Sequence, residues 1–164
     1  MTEVHLIRHA RAQPRREGLP DGERALTPAG NEQAQRLKLV LERLEVRYAL
    51  LWTSPLLRAR QTADFLAPLA EMVATEPELA GPWRADLLDR LLVRGRTVAV
   101  VAHEPELSQV AAELLAGDAE RAPAFAFKKS GLLALRMRRG GVEARYLLTP
   151  GVLRRLLAPP DQQS

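Results

Sequence analysis

The stretch VHLIRHARAQ, residues 4–13, passes from aliphatic side chains to polar ones and sets Arg8 and His9 side by side at the change. The apolar part reads as a buried strand over residues 3–8. The Arg-His pair then falls at the strand's carboxyl end, where open α/β sheets hold their ligands. Outward from there the chain repeats a unit of strand, cap and helix. LTPAGNEQA makes Thr27 an N-cap with Pro28 in the first helical position, and Ala34, Leu37, Leu41 and Leu44 recur at helical spacing, so the helix runs to about Leu44. YALLW, residues 48–52, reads as a second strand, and in TSPLLRARQTADFLAPLA Ser54 reads as an N-cap followed by Pro55. WRADLLDRLLV is a helix ending near Gly95. TVAVVA, residues 97–102, is the most β-like run of the chain and predicts a central strand, followed by ELSQVAAELLAG, a helix closed by Gly117.

GLLALRM and VEARYLL flank Arg139, Gly140 and Gly141 and read as a hairpin at a sheet edge, and TPGVLRRLL is a short final helix. The alternation predicts an α/β fold, a three-layer α/β/α sandwich with a mostly parallel mixed sheet. One domain takes residues 1–157, with 158–164 as a flexible tail.

With 164 residues, 46% of them hydrophobic, the chain can bury a sizeable core. It has no cysteine, so disulfides and thiolate chemistry are excluded, and three histidines leave little for a metal. No apolar run approaches the ~20 residues that span a bilayer, and the N-terminus lacks the pattern of a signal peptide, so no membrane association is expected and the location expected is the cytoplasm. The net charge is +4, but basic and acidic residues intersperse along helices such as NEQAQRLKLVLERLEVR, the pattern of a solvated face. With no helix-turn-helix or RNP-like motif and 4% aromatic residues, no nucleic-acid partner is expected.

Arg8 and His9 end one strand, His103 ends another, and Arg58 lies in the first turn of the helix after a third. If the strands are parallel, all four side chains meet in one crevice. Two arginines, two imidazoles and several helix N-termini suit a compact dianion, of which phosphate is the obvious example. A neutral imidazole is a good nucleophile near pH 7, so in-line attack by His9 would form a phosphohistidine that water then hydrolyses. Two guanidiniums can supply the charge stabilisation without a metal, since their planar forks hold two oxygens and do not deprotonate.

Four motifs, LIRHARA, LTPAGNEQA, SPLLRARQTA and VAVVAHEPELS, in this order and at these spacings, resemble the histidine phosphatase superfamily and, within it, the short phosphohistidine phosphatases of the SixA type. The resemblance extends from about Val4 to Leu156. It implies a phosphoglycerate mutase-like fold, His9 as the nucleophile, and Arg8, Arg58 and His103 as binders of the phosphoryl group. It also implies no cofactor, and a phosphohistidine-bearing protein, a histidine-containing phosphotransfer domain, as substrate and partner. Two other readings stay open: a small-molecule phosphomonoesterase of the same superfamily, and a non-catalytic phosphate-binding module.

The chain departs from the family's pattern in two places. Ala10 stands where glycine usually follows the nucleophile, and it is expected to be tolerated. In TEPELAGPW, where many members carry the glutamate that protonates an alkoxide leaving group, Glu76 and Glu78 are the candidate general acids, but neither sits in a convincing copy of the motif. A missing acid penalises alkyl esters more than a phosphoramidate, whose ring-protonated imidazole leaves readily.

Other residues have plainer readings. His5, inside the first strand, is expected to be packed or hydrogen-bonded, and Arg60, about 200° around the helix from Arg58, solvated. Glu104 is expected to cap the helix that follows it. Arg11, Arg15 and Arg16 either attract an acidic partner or are solvated, and Lys128, Lys129 and Ser130 either border the pocket or form a surface loop.

Overall fold

The computed structural model describes residues 1–159. Six strands, β1 (Thr2–Arg8), β2 (Leu50–Thr53), β3 (Val73–Thr75), β4 (Thr97–Ala102), β5 (Leu132–Arg138) and β6 (Gly141–Leu148), form one sheet in the order β3-β2-β4-β1-β5-β6. β3, β2, β4 and β1 are parallel, whereas β5 and β6 run antiparallel at one side, so the sheet is mixed as expected. The helices are α1 (Pro28–Arg43), α2 (Leu57–Leu66), α3 (Asp86–Leu91), α4 (Glu106–Ala116) and α5 (Pro150–Leu157).

Strand residues alternate between two cores. Ile7, Leu51, Ala99 and Val101 pack with Leu37 and Leu41 of α1, Leu66 of α2 and Leu153 of α5. Val4, Leu6, Val100 and Ala102 face the other way, against Leu88 of α3 and Leu107 and Val110 of α4. All of these side chains are essentially buried, and truncating one such leucine to alanine costs about 2–5 kcal/mol. The result is an α/β/α sandwich.

Caps explain several boundaries. Thr27 Oγ1 accepts the Gly30 N–H and starts α1, Thr149 does the same for Val152 in α5, and Gly117 at φ +68° closes α4. Three expectations are corrected. Ser54 does not cap α2, which begins at Leu57 after an extended Leu56. The helix expected to end near Gly95 is only Asp86–Leu91, because Leu92 turns extended and Gly95, at φ +75°, lies in the turn before β4. The second strand starts at Leu50 rather than residue 48, and Tyr48 instead makes an isolated bridge to Ala70. β3, a three-residue edge strand with two exposed side chains, shows no alternation by which sequence would reveal it. Of the tail, Ala158 caps α5 through its N–H to the Arg154 and Arg155 carbonyls, and residues 160–164 lie outside the described residues.

Candidate active site

Three parallel strands end level with one another and fix the site. Arg8 is in register with Ala102, and the His9 N–H donates to the Ala102 carbonyl at 3.1 Å. Thr53 is in register with Val101, whose carbonyl accepts the Ser54 N–H at 3.0 Å. His9, His103 and Ser54 are therefore the first residues beyond β1, β4 and β2, and Arg58 enters from the first turn of α2. Arg8, His9, Arg58 and His103 line a single cavity of about 290 Å³ together with Glu104, Lys129, Arg15 and Arg24. All four residues expected from the sequence meet there.

The imidazoles of His9 and His103 are 7% and 8% exposed, with ring centroids 5.1 Å apart. His9 Nδ1 lies 2.7 Å from the Ala10 carbonyl. A carbonyl only accepts, so Nδ1 carries the hydrogen and the lone pair stays on Nε2. Burial, together with the charges of His103, Arg58 and Arg8, pushes the His9 pKa down to about 3 against the opposing bond to Ala10. His9 is thus neutral near pH 7 without any base to deprotonate it. Burial and the Arg58 charge likewise hold His103 at about 4. His103 Nε2 is 2.7 Å from Ser54 Oγ, which accepts the Leu56 N–H at 3.3 Å. With the Ser54 hydroxyl donating to Nε2, the His103 proton sits on Nδ1. Any protonation of His103 as a donor to phosphate therefore has to be driven by the anion itself.

Backbone and side-chain bonds aim the guanidiniums. Arg8 Nη1 donates to the Phe127 carbonyl at 2.7 Å. Arg58 donates from Nη1 to the Asp21 carbonyl at 2.7 Å and from Nη2 to Asp21 Oδ2 at 3.0 Å. Burial opposes ionisation of Asp21, but Arg58, Arg24 and Arg15 hold its pKa down to about 2. Thr62, one turn after Arg58, donates its hydroxyl to the Arg58 carbonyl at 2.8 Å and accepts the Ala10 N–H at 3.0 Å, tying α2 to the residue after His9. Among the described residues five side-chain atoms are buried without a partner, and three of them, Arg8 Nε, Arg58 Nε and His103 Nδ1, belong to residues of this cavity. Such a set of donors matches a ligand rich in acceptor oxygens.

Carboxylates are distributed differently. Glu76 accepts the Glu78 N–H in a short turn, Glu78 pairs with Arg90 at 2.5 Å, and neither lines the His9 cavity. The structure does not bring these two candidate acids to His9. Glu104 does line the cavity, but both oxygens are engaged: Oε1 accepts the Phe127 N–H at 2.6 Å, and Oε2 accepts the Ser108 N–H at 3.0 Å and hydroxyl at 2.8 Å. It caps α4 as expected and also fixes Phe127, whose carbonyl holds Arg8.

Sequence reasoning left Asp21, Ser54, Thr62 and Phe127 without site roles. Thr62 had a usable signal, since it lies four residues after Arg58 on the same helical face. Ala10 is fully buried without a left-handed backbone, so its methyl fits where glycine was usual. Lys129 borders the cavity, and the buried Ser130, at φ +62°, donates its N–H to the Arg8 and His9 carbonyls. Arg15 reaches Asp21, and Arg60 and Arg16 are exposed. His5 is packed and bonded to Tyr48 and Tyr146, outside the site. Among the described residues no cluster of three or more His, Asp or Glu side chains could hold a metal ion, and no helix is long and apolar enough to cross a membrane.

Comparison with known proteins concerns the fold and part of the sequence. The chain is 29% identical over 161 residues to an uncharacterized protein of Picosynechococcus sp. (strain PCC 7002), covering 90% of this chain and 95% of the other. Its fold is similar to that of a protein from Agrobacterium tumefaciens assigned as a phosphohistidine phosphatase SixA, with a TM-score of 0.76, 24% identity, and coverage of 91% and 99% of the two chains. It is also similar to phosphoserine phosphatase from Entamoeba histolytica, with a TM-score of 0.75, 19% identity, and coverage of 93% and 100%. Residues 4–81, which carry Arg8, His9 and Arg58, match the model of the histidine phosphatase superfamily (branch 1).

Proposed function

We propose that this phosphatase removes the phosphoryl group from phosphohistidine on a protein, by way of a phospho-His9 intermediate and without a metal. His9 Nε2 attacks phosphorus in line, and the bond from phosphorus to the substrate's imidazole nitrogen breaks. Its electron pair stays on that nitrogen, so a ring protonated beforehand departs as neutral imidazole. Water then attacks phospho-His9, the new P–N bond breaks, its electron pair returns to Nε2, and phosphate leaves with the water's oxygen. Arg8 and Arg58 hold the equatorial oxygens through both displacements, where guanidinium forks act as fixed charge. His103 donates from Nδ1.

The observation that carries the substrate class is the state of the carboxylates. Glu104 has both oxygens occupied, and Glu76 and Glu78 lie outside the cavity. An alkoxide leaving group needs a proton donor, worth on the order of 10² to 10⁴ in rate, whereas a protonated imidazole does not. The test is a panel of phosphohistidine protein, free phosphohistidine, aryl phosphates and alkyl phosphates graded by leaving-group pKa. Phosphoramidates and aryl phosphates should exceed alkyl esters by at least ~10²-fold in kcat/KM. A flat dependence would replace this reading with a small-molecule phosphomonoesterase, and binding without turnover would replace it with a phosphate-binding module.

A further inference from the structure

A second cavity of about 580 Å³ adjoins the first and shares Arg8 and Lys129 with it. Arg11, Lys128 and Arg154 complete its ring of cations, and no carboxylate lines it. Four parts of the chain build this ring: the end of β1, the loop after His9, the turn before β5, and α5. None of the five cations takes part in an ion pair among the described residues. Elsewhere Arg15, Arg36, Arg84, Arg90, Arg96 and Arg138 are each matched to an acid, while Arg16, Arg47, Arg60, Arg94 and Arg139 make no ion pair among the described residues, so what marks this cavity is the convergence of five such cations on one space. The first turn of α5, Pro150 and Gly151, also faces this cavity and carries no acidic residue, so the positive end of the helix adds to the field rather than being neutralised. Like charges set side by side repel, and an anion from outside relieves that repulsion.

We propose that this cavity is a second anion subsite, which holds the carboxylate of an aspartate or glutamate lying beside the phosphohistidine of a protein substrate. The assignment of the occupant rests on the phosphohistidine reading above. The shared residues Arg8 and Lys129 make the two subsites continuous, so one substrate segment can present its phosphoryl group to His9 and its carboxylate to Arg11, Lys128 and Arg154. The subsite then selects among phosphohistidine proteins by the acidity of the surrounding surface.

The test compares phosphohistidine peptides with acidic and with neutral flanks, using the parent enzyme and the Lys128→Ala/Arg154→Ala double variant. Both substituted side chains are exposed, and circular dichroism checks the fold. The parent should favour the acidic flank by about tenfold in kcat/KM, on the order of what two partly screened ion pairs supply. The preference should fall with added salt and vanish in the double variant, while turnover of free phosphohistidine stays within about twofold. Equal rates on the two flanks in the parent, or a preference that persists in the double variant, would overturn the proposal. Phosphotyrosine peptides with the same two flanks separate this idea from the one beneath it. If no phosphohistidine peptide is hydrolysed but the acidic phosphotyrosine peptide keeps a preference that depends on Lys128 and Arg154, the substrate reading fails and the carboxylate subsite stands. A preference of the parent for a small bisphosphate, lost in the double variant while the flanks make no difference, would assign the cavity to a second phosphate and overturn the carboxylate.

Discussion

Glu104→Gln separates a proton donor from a structural acceptor. The glutamate presents two acceptor oxygens to three donors, the Phe127 N–H, the Ser108 N–H and the Ser108 hydroxyl. A glutamine of the same shape offers one acceptor and one donor, so its amide nitrogen must face either Phe127 N–H or Ser108 N–H. At least one charge-assisted bond is lost and a backbone donor is left against another donor, at a cost of about 2–3 kcal/mol. In a domain of this size that lowers Tm by about 5–10 °C. Because the Phe127 carbonyl anchors Arg8, kcat/KM should fall about tenfold, and by the same factor for every leaving group. Thermal unfolding followed by circular dichroism, beside kinetics on one aryl and one alkyl phosphate, measures both effects. An unchanged Tm, with a loss that grows as the leaving group becomes poorer, would make Glu104 the general acid and refute the reasoning.

Arg58→Ala should lower kcat/KM by at least ~10²-fold, with Arg60→Ala within about twofold of the parent; equal losses in a steady-state assay would mean that the wrong face of α2 has been assigned to the phosphoryl group. Gly30→Ala would place a Cβ 2.0 Å from the Arg11 carbonyl, so α1 must move away from the loop after His9; an unfolding free energy lowered by about 2 kcal/mol is expected, and an unchanged one would show that the contact relaxes freely. The two active-site imidazoles stay neutral in the folded chain down to about pH 4 for His103 and about 3 for His9, whereas in the unfolded chain they bind protons below about 6.5. The unfolded state therefore holds more protons in that window, and stability falls as pH drops from about 6.5 towards 4, by at most ~3 kcal/mol for His103. Melting curves across this range should flatten in a His9→Asn/His103→Asn double variant; the same slope in parent and variant would assign the loss to other groups.

The fold was legible because the strands announce themselves chemically. TVAVVA is rich in β-branched residues and apolar from Val98 on, and it lies at the centre of the parallel part of the sheet, where both faces must be buried. Capping residues Thr27 and Gly117 marked real helix ends for the same local reason. Ser54 misled because a serine before a proline looks like a cap from either side, whereas the buried hydroxyl is taken by His103 across 49 residues of sequence. The four catalytic candidates could be read because each sits at a strand end or in a first turn, positions that sequence pattern locates well. Asp21 and Phe127 could not, since they reach Arg58 and Arg8 from 37 and 119 residues away, and Phe127 does so through its backbone carbonyl, which no side-chain pattern records. The pairing of Arg11 with Lys128 and Arg154 in one cavity is likewise a product of tertiary folding.

Covalent catalysis by His9 is the centre of this account, and trapping the intermediate tests it most directly. The enzyme is mixed with an excess of an aryl phosphate, quenched within milliseconds in alkali, which preserves phosphohistidine, and mapped by peptide mass spectrometry and phosphorus NMR. The account predicts a phosphoryl group on Nε2 of His9, formed in a burst before steady state and absent from His9→Ala. Steady turnover with no phosphoryl group on His9, or a folded His9→Ala that still turns over, would contradict it.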